Sequence, residues 1–126
     1  MSMSRDTYSI KDHLSGKDAG IVSLYERFVQ LVKACGPFEY VVGNDGIAFK
    51  GQRRNFAVAK PKARSLDGVL VLPRRLQDSR IHTVEPYTKK LFGNRFRVIG
   101  LDQLDEEFAA WVYEAYRVGQ GQHLEE

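Results

Sequence analysis

The sequence predicts an α+β domain, an antiparallel sheet of five or six strands covered on one face by an N-terminal and a C-terminal helix. Three observations predict it. Apolar residues recur at helical spacing near both ends of the chain. Through the middle they alternate with a period of two, and Gly, Pro, Asn and Asp interrupt that middle at short intervals. Strands joined by tight turns pair antiparallel, because a parallel pair needs a long crossover, and no strand–helix–strand unit is visible.

The first dozen residues are polar and read as loosely ordered. Ser15 or Asp18 supplies a side-chain oxygen for the free N–H groups of a helix start. Ile21, Leu24, Tyr25, Phe28, Leu31 and Val32 then form one apolar stripe. Lys33 suits the negative end of the helix dipole, Gly36 can adopt a left-handed cap, and Pro37 forbids continuation. Phe38, Tyr40 and Val42 alternate along a first strand. Gly43-Asn44-Asp45-Gly46 turns into a second that carries Ile47 and Phe49. After Gly51-Gln52 come Phe56 and Val58, with Pro61 ending that strand or placing it at an edge. Val69 to Leu72 form the next strand, Ile81 to Glu85 a weaker one, and Phe96 and Val98 the last. The second helix opens at Asp102, with Asp105, Glu106 and Glu107 at its positive end. Leu104, Phe108, Trp111, Val112 and Ala115 are its stripe, and Gly119 marks its end. The tail from Gln120 reads as frayed.

The 126 residues, 43% of them hydrophobic, suit one domain over residues 1–126 with its ordered core at about 9–118. No apolar run approaches the ~20 residues that span a bilayer. The polar N-terminus lacks a signal-peptide core, and Cys35 has no second cysteine to pair with. A reducing cytoplasm is the expected location.

The net charge is only +3, yet it is unevenly laid out. Residues 50–97 carry thirteen Lys and Arg against three acids, whereas residues 98–126 carry one Arg against seven acids. If Phe96 and Val98 face the helices, Arg95 and Arg97 face away, and Lys50, Asn55 and His82 share that open face. The candidate polyanion-binding set is therefore Lys50, Arg53, Arg54, Arg80, His82, Arg95 and Arg97. Such cations bind phosphates because each neutralised phosphate releases condensed counterions. Two features weigh against it. The face lacks an aromatic pair on which bases would stack, and basic residues also protect exposed sheet from aggregation.

Catalytic and metal chemistry finds little support. His13, His82 and His123 have no His or Cys at ligand spacing. Cys35 sits at the negative end of a helix, where a thiolate is disfavoured. Gly16-Lys17 lacks both the earlier glycine and the following Ser or Thr of a phosphate loop. Asp67, Asp78 and Glu85 are the only acids of the basic segment and do not read as a magnesium cluster. No catalytic residue, metal or cofactor is expected.

Several strings carry a resemblance: Asp45-Gly46-Ile47-Ala48-Phe49, Arg54-Asn55-Phe56-Ala57, Arg80-Ile81-His82, and the run from Ala110 to Tyr116. In this order they resemble a bacterial family known as domain of unknown function 5655, from about Ser9 to Val118. The resemblance implies one domain and assigns no activity to any residue. The residues themselves favour a non-catalytic binding module for nucleic acid or another phosphate-rich polyanion. The alternative is a protein-interaction or homodimerisation domain that uses the open face or a strand edge near Pro61 or Ile81 to Glu85.

Overall fold

The computed structural model describes residues 8–122, and its first element is one that the sequence reading leaves out. Helix α1, Ile10–Leu14, is only five residues long and has no apolar stripe. It is specified by its cap: Ser9 Oγ accepts from Asp12 N at 3.1 Å, and Asp12 Oδ2 accepts from Ser9 N at 2.9 Å. The expected disorder of the first dozen residues is thus corrected from Ser9 onward, and residues 1–7 lie outside the described residues. Helix α2, Ala19–Lys33, starts at Asp18, while Ser15 ends α1. Gly36 follows α2 at φ 141°, and a Cβ there would lie 2.5 Å from Tyr116 Oη, so backbone and packing both require glycine.

Six strands follow: β1 Glu39–Val42, β2 Ile47–Lys50, β3 Asn55–Pro61, β4 Leu66–Leu72, β5 Ile81–Pro86 and β6 Phe92–Val98. They form one antiparallel sheet in the order β1-β2-β3-β4-β6-β5. Consecutive pairing therefore fails once. β6 inserts beside β4, and β5 becomes the edge. The connection from Pro73 to Arg80 is long enough to step over one strand, which a tight turn cannot do. Pro61 is not on an edge strand. It ends β3 opposite Leu66, two residues past Ala59, the last β3 residue paired to β2. Its missing N–H therefore costs the ladder little.

After a 3-10 turn at Leu101–Gln103, helix α3 runs Glu106–Gly119. Its cap is Asp105, whose Oδ1 accepts from Phe108 N at 3.0 Å, so the helix begins later than the expected Asp102. Helices α2 and α3 pack on one face of the sheet. Phe28 lies within ring contact of Phe49, Phe96 and Phe108 at the centre of the core.

Phe96 and Val98 are fully buried, and Arg95 and Arg97 point to the other face, as the alternation predicts. Two expected core positions are corrected. Tyr40, on edge strand β1, is 40% exposed because no strand lies beyond it. Val58 turns to the open face, while Ala57 and Ala59 sit in the core opposite Phe49 and Ile47. The cause is a bulge. Phe49 pairs with Ala57 and Lys50 with Asn55, which leaves Phe56 as the extra residue. Phe56 and Ala57 are consecutive and both buried, so the phase beyond them shifts by one.

Candidate functional site

Cross-strand register arranges the open face in rows. Lys60, Asp67 and Arg97 form one row across β3, β4 and β6. The next runs Val41, Ala48, Val58, Val69, Arg95 and Thr83. Beyond it Val71, Gly93 and Glu85 line up. The middle of this face is apolar, and its charges sit at the margins and ends.

Both arginines expected on this face are there, and both are paired. Arg97 donates to Asp67 through Nε at 3.0 Å and Nη2 at 2.8 Å. Arg95 reaches Glu85 Oε1 at 3.2–3.3 Å, in a more exposed and looser contact. His82 is the extra residue of a second irregularity, between the Ile81–Phe96 and Thr83–Arg95 pairs. It is exposed, with Nδ1 3.2 Å from Thr83 Oγ1. Its charge acts on Asp67. Burial raises the Asp67 carboxyl, but hydrogen bonds from Arg97 and Ser65 and the nearby charges of Arg97 and His82 outweigh this and lower it.

Arg80, one of the candidate polyanion contacts, is 7% exposed, and its donors are engaged inside the fold. Nε and Nη2 bind Asp78 at 2.8 and 3.0 Å. Nη1 binds Gln103 O and Asp105 at 2.8 and 2.9 Å, Nη2 also binds Glu107 at 2.6 Å, and the guanidinium lies 4.6 Å from the Trp111 ring centre. The acids of the α3 start, read as helix-dipole partners, also clamp this arginine. Hydrogen bonding to Asp78 first, then to Asp105 and Glu107, raises the guanidinium further and outweighs its burial.

Lys50, Arg53 and Arg54 meet at the β2–β3 turn. Arg53 N and Arg54 N both donate to Gly119 O, at 2.8 and 3.3 Å, which fastens this turn to the end of α3. Lys60, Lys62 and Arg64 lie at the opposite end, around the β3–β4 turn, where Lys62 N donates to Ser65 O at 2.9 Å. None of these six cations takes part in an ion pair among the described residues. Lys89 and Lys90, in the β5–β6 turn, are likewise without one. Arg74 is paired with Glu114, and Arg75 lies over Phe92. The basic segment is thus divided between two ends of the sheet, with valines and paired arginines between them.

The other polar candidates have structural partners. His13 Nε2 donates to Gly43 O at 2.7 Å. Cys35 Sγ donates to Leu31 O at 3.4 Å, and burial pushes its thiol up. His123 lies outside the described residues. Among the described residues no group of three or more His, Cys, Asp or Glu is placed to hold a metal ion. No helix among them is long and apolar enough to cross a membrane. What sequence reasoning missed was Asp67 and Glu85 as arginine partners: Asp67 meets Arg97 across strands 30 residues apart, and Glu85 meets Arg95 across neighbouring strands whose register a bulge shifts. It also missed the pocket over Val69 and Val71, which residues of β3, β4, β5 and β6 line together, Val58 among them turned to this face by the bulge at Phe56.

No curated protein and no solved structure matches the chain. The family model described as domain of unknown function 5655 matches residues 10–119, which run from the first residue of α1 to the last of α3, and the chain belongs to that family.

Proposed function

We propose that the chain is a non-catalytic binding module for nucleic acid or another phosphate-rich polyanion, which crosses the open sheet face and is held at its two ends. The observation that carries this reading is the set of cations without ion partners among the described residues: Lys50, Arg53 and Arg54 at one end, Lys60, Lys62 and Arg64 at the other. An unpaired surface cation gives up only water and counterions to meet a phosphate, whereas Arg95 and Arg97 must first leave a carboxylate. The turns therefore supply the main contacts. Arg95, Arg97 and His82 are secondary, and Arg80 supports the fold. The reducing cytoplasm suits both such a ligand and the half-buried free thiol of Cys35. The test is fluorescence anisotropy of labelled single-stranded and duplex oligonucleotides across a salt series. Binding that weakens steeply with salt is expected. Absence of binding at low salt overturns the reading.

One observation favours a second reading, a protein-interaction or homodimerisation surface. The row Val41, Ala48, Val58 and Val69 gives the open face an apolar centre with charged margins, the layout of a protein interface. Edge strands β1 and β5 offer further pairing sites. Light scattering decides the self-association form: a monomer mass that stays constant up to high concentration ends it.

A further inference from the structure

Gly93 lies within β6, with Val71 of β4 opposite it on one side and Glu85 of β5 on the other. A glycine inside a paired strand loses conformational entropy on folding and offers no side chain to pack. Two ordinary reasons for one are missing here. Its φ is not in the left-handed region. A Cβ built on it would meet Val69 Cγ1 at 3.4 Å and Glu85 O at 3.8 Å, and nothing nearer. Gly68, in neighbouring β4, is the contrast, because a Cβ there would overlap the Val58 carbonyl oxygen and the Phe96 ring.

What the missing side chain leaves is a pocket of about 200 Å³ on the open face. Val69 and Val71 form its floor, and Tyr87, 52% exposed at the start of the β5–β6 turn, stands beside it. Asn55, Glu85 and Arg95 bring polar groups to its margin.

We propose that this pocket takes one unpaired base of a single-stranded nucleic acid, laid on the valine floor beside the Tyr87 ring. The inference rests on the polyanion reading and adds the role of the ligand's non-phosphate part. The volume is below the roughly 300–1,000 Å³ of drug-sized sites, so it suits a single ring system. A π face needs an apolar or aromatic surface and no fixed pattern of donors. A base edge carries donors and acceptors together, which matches an amide, a carboxylate and a guanidinium at one margin. An aliphatic side chain in the same place would cover those groups without satisfying them. Charge placement agrees: Arg53 and Arg54 immediately precede Asn55, and Lys89 and Lys90 follow Tyr87. A base held in a duplex keeps its faces stacked and cannot enter.

The experiment has two arms. In the first, cytidine and adenosine, which carry no phosphate, are titrated at millimolar concentration while the valine methyl signals are followed by NMR. Shifts confined to Val58, Val69 and Val71 are expected, lost in Gly93→Val, which fills the pocket, and in Tyr87→Ala, which alters only an exposed side chain. In the second, a labelled single strand is compared with an abasic strand of equal length and charge. The base-bearing strand is expected to bind about 5- to 150-fold more tightly, the range of one base stacked on an aromatic residue. Equal binding of the two strands, with unmoved valine methyls, overturns the base pocket and leaves the polyanion reading standing. Absence of binding by either strand at low salt overturns that reading, and the single-strand proposal with it.

Discussion

Arg97 on β6 and Asp67 on β4 stand directly opposite each other in the ladder and share a two-pronged ion pair, with Nε–Oδ1 at 3.0 Å and Nη2–Oδ2 at 2.8 Å. Asp67 also accepts from Ser65 Oγ at 2.7 Å and has Lys60 across from it on β3. One nearly buried carboxylate thus ties β4 to β6 and engages an arginine whose side chain still faces solvent. Asp67→Ala orphans the Ser65 hydroxyl and is expected to cost about 1–2 kcal/mol, read as a lower urea midpoint at unchanged m. Asp67→Asn keeps the shape, frees Arg97, and is expected to strengthen oligonucleotide binding and steepen its salt dependence. A weaker, flatter response in Asp67→Asn contradicts a role for this face in binding phosphates.

Arg80 is expected to behave as a folding residue. Its removal takes the shared counterion from Asp78, Asp105 and Glu107 and empties the space against Trp111. Losing one partner of a fully buried pair costs roughly 3–5 kcal/mol. Here Asp105 and Glu107 are half exposed and can rehydrate, so Arg80→Ala is placed lower, at about 2–3 kcal/mol. Arg80→Lys keeps the charge but offers three donors from one nitrogen in place of the planar fork that makes five contacts here, so it recovers only part of that. Urea melts of the two variants check the ranking. An Arg80→Ala protein as stable as the parent, with weakened oligonucleotide binding, would return Arg80 to the ligand site.

Most of the fold was legible because its signals are local. Asp18 to Gly36 carries a cap, a stripe and a stop within one helix, and Arg95 to Val98 alternates without interruption. What was not legible depends on partners distant in sequence. The bulge at Phe56 exists only relative to Lys50 and Asn55, and without it the phase at Val58 reads one residue out. The insertion of β6 beside β4 leaves no local mark. Arg80 and Arg97 look alike in the sequence, yet one meets carboxylates 25 and 27 residues later and is buried, while the other keeps a solvent-facing side chain. Charge counts give the number of cations, and only the fold shows which of them are already engaged.

Acid should reach the Arg80 cluster in a defined window. Hydrogen bonds from the Arg80 side chain and backbone hold Asp78 at about 2, below the ordinary carboxylate value of about 4. A carboxyl lowered by folding contributes stability that is fully present above its unfolded pKa and is lost as pH falls through the folded one. The Tm of the parent protein should therefore fall between about pH 4 and pH 2. In Arg80→Ala that part of the profile should flatten in part, because Asp78 loses the Arg80 side chain, the larger of its two causes, and keeps the hydrogen bond from the backbone N–H of residue 80. Asp67 contributes in the same direction and remains in both proteins, so the comparison isolates the Arg80 cluster. Parallel Tm–pH curves for the two proteins would show that the cluster is not linked to folding.

The cations of the turns and those of the strands should differ in what they give to binding. The logarithm of affinity falls with the logarithm of salt by about 0.7–0.9 per phosphate neutralised. Arg53 and Arg54 have no ion partner to leave among the described residues, so Arg53→Gln with Arg54→Gln should flatten the slope by about 1.4–1.8. Their backbone bonds to Gly119 O remain, because the substitution changes only side chains. Arg95 and Arg97 already hold Glu85 and Asp67, and a cation that exchanges one anion for another releases less. Replacing both with Gln should therefore flatten the slope by less than the turn pair does, despite the equal change in charge. The anisotropy salt series reads both variants against the parent, with urea melts to confirm that each is folded. If the strand pair has the larger effect, the ligand displaces the carboxylates and lies along β6. If the two effects are equal, net charge alone sets the affinity and the division between turns and strands has no bearing on it.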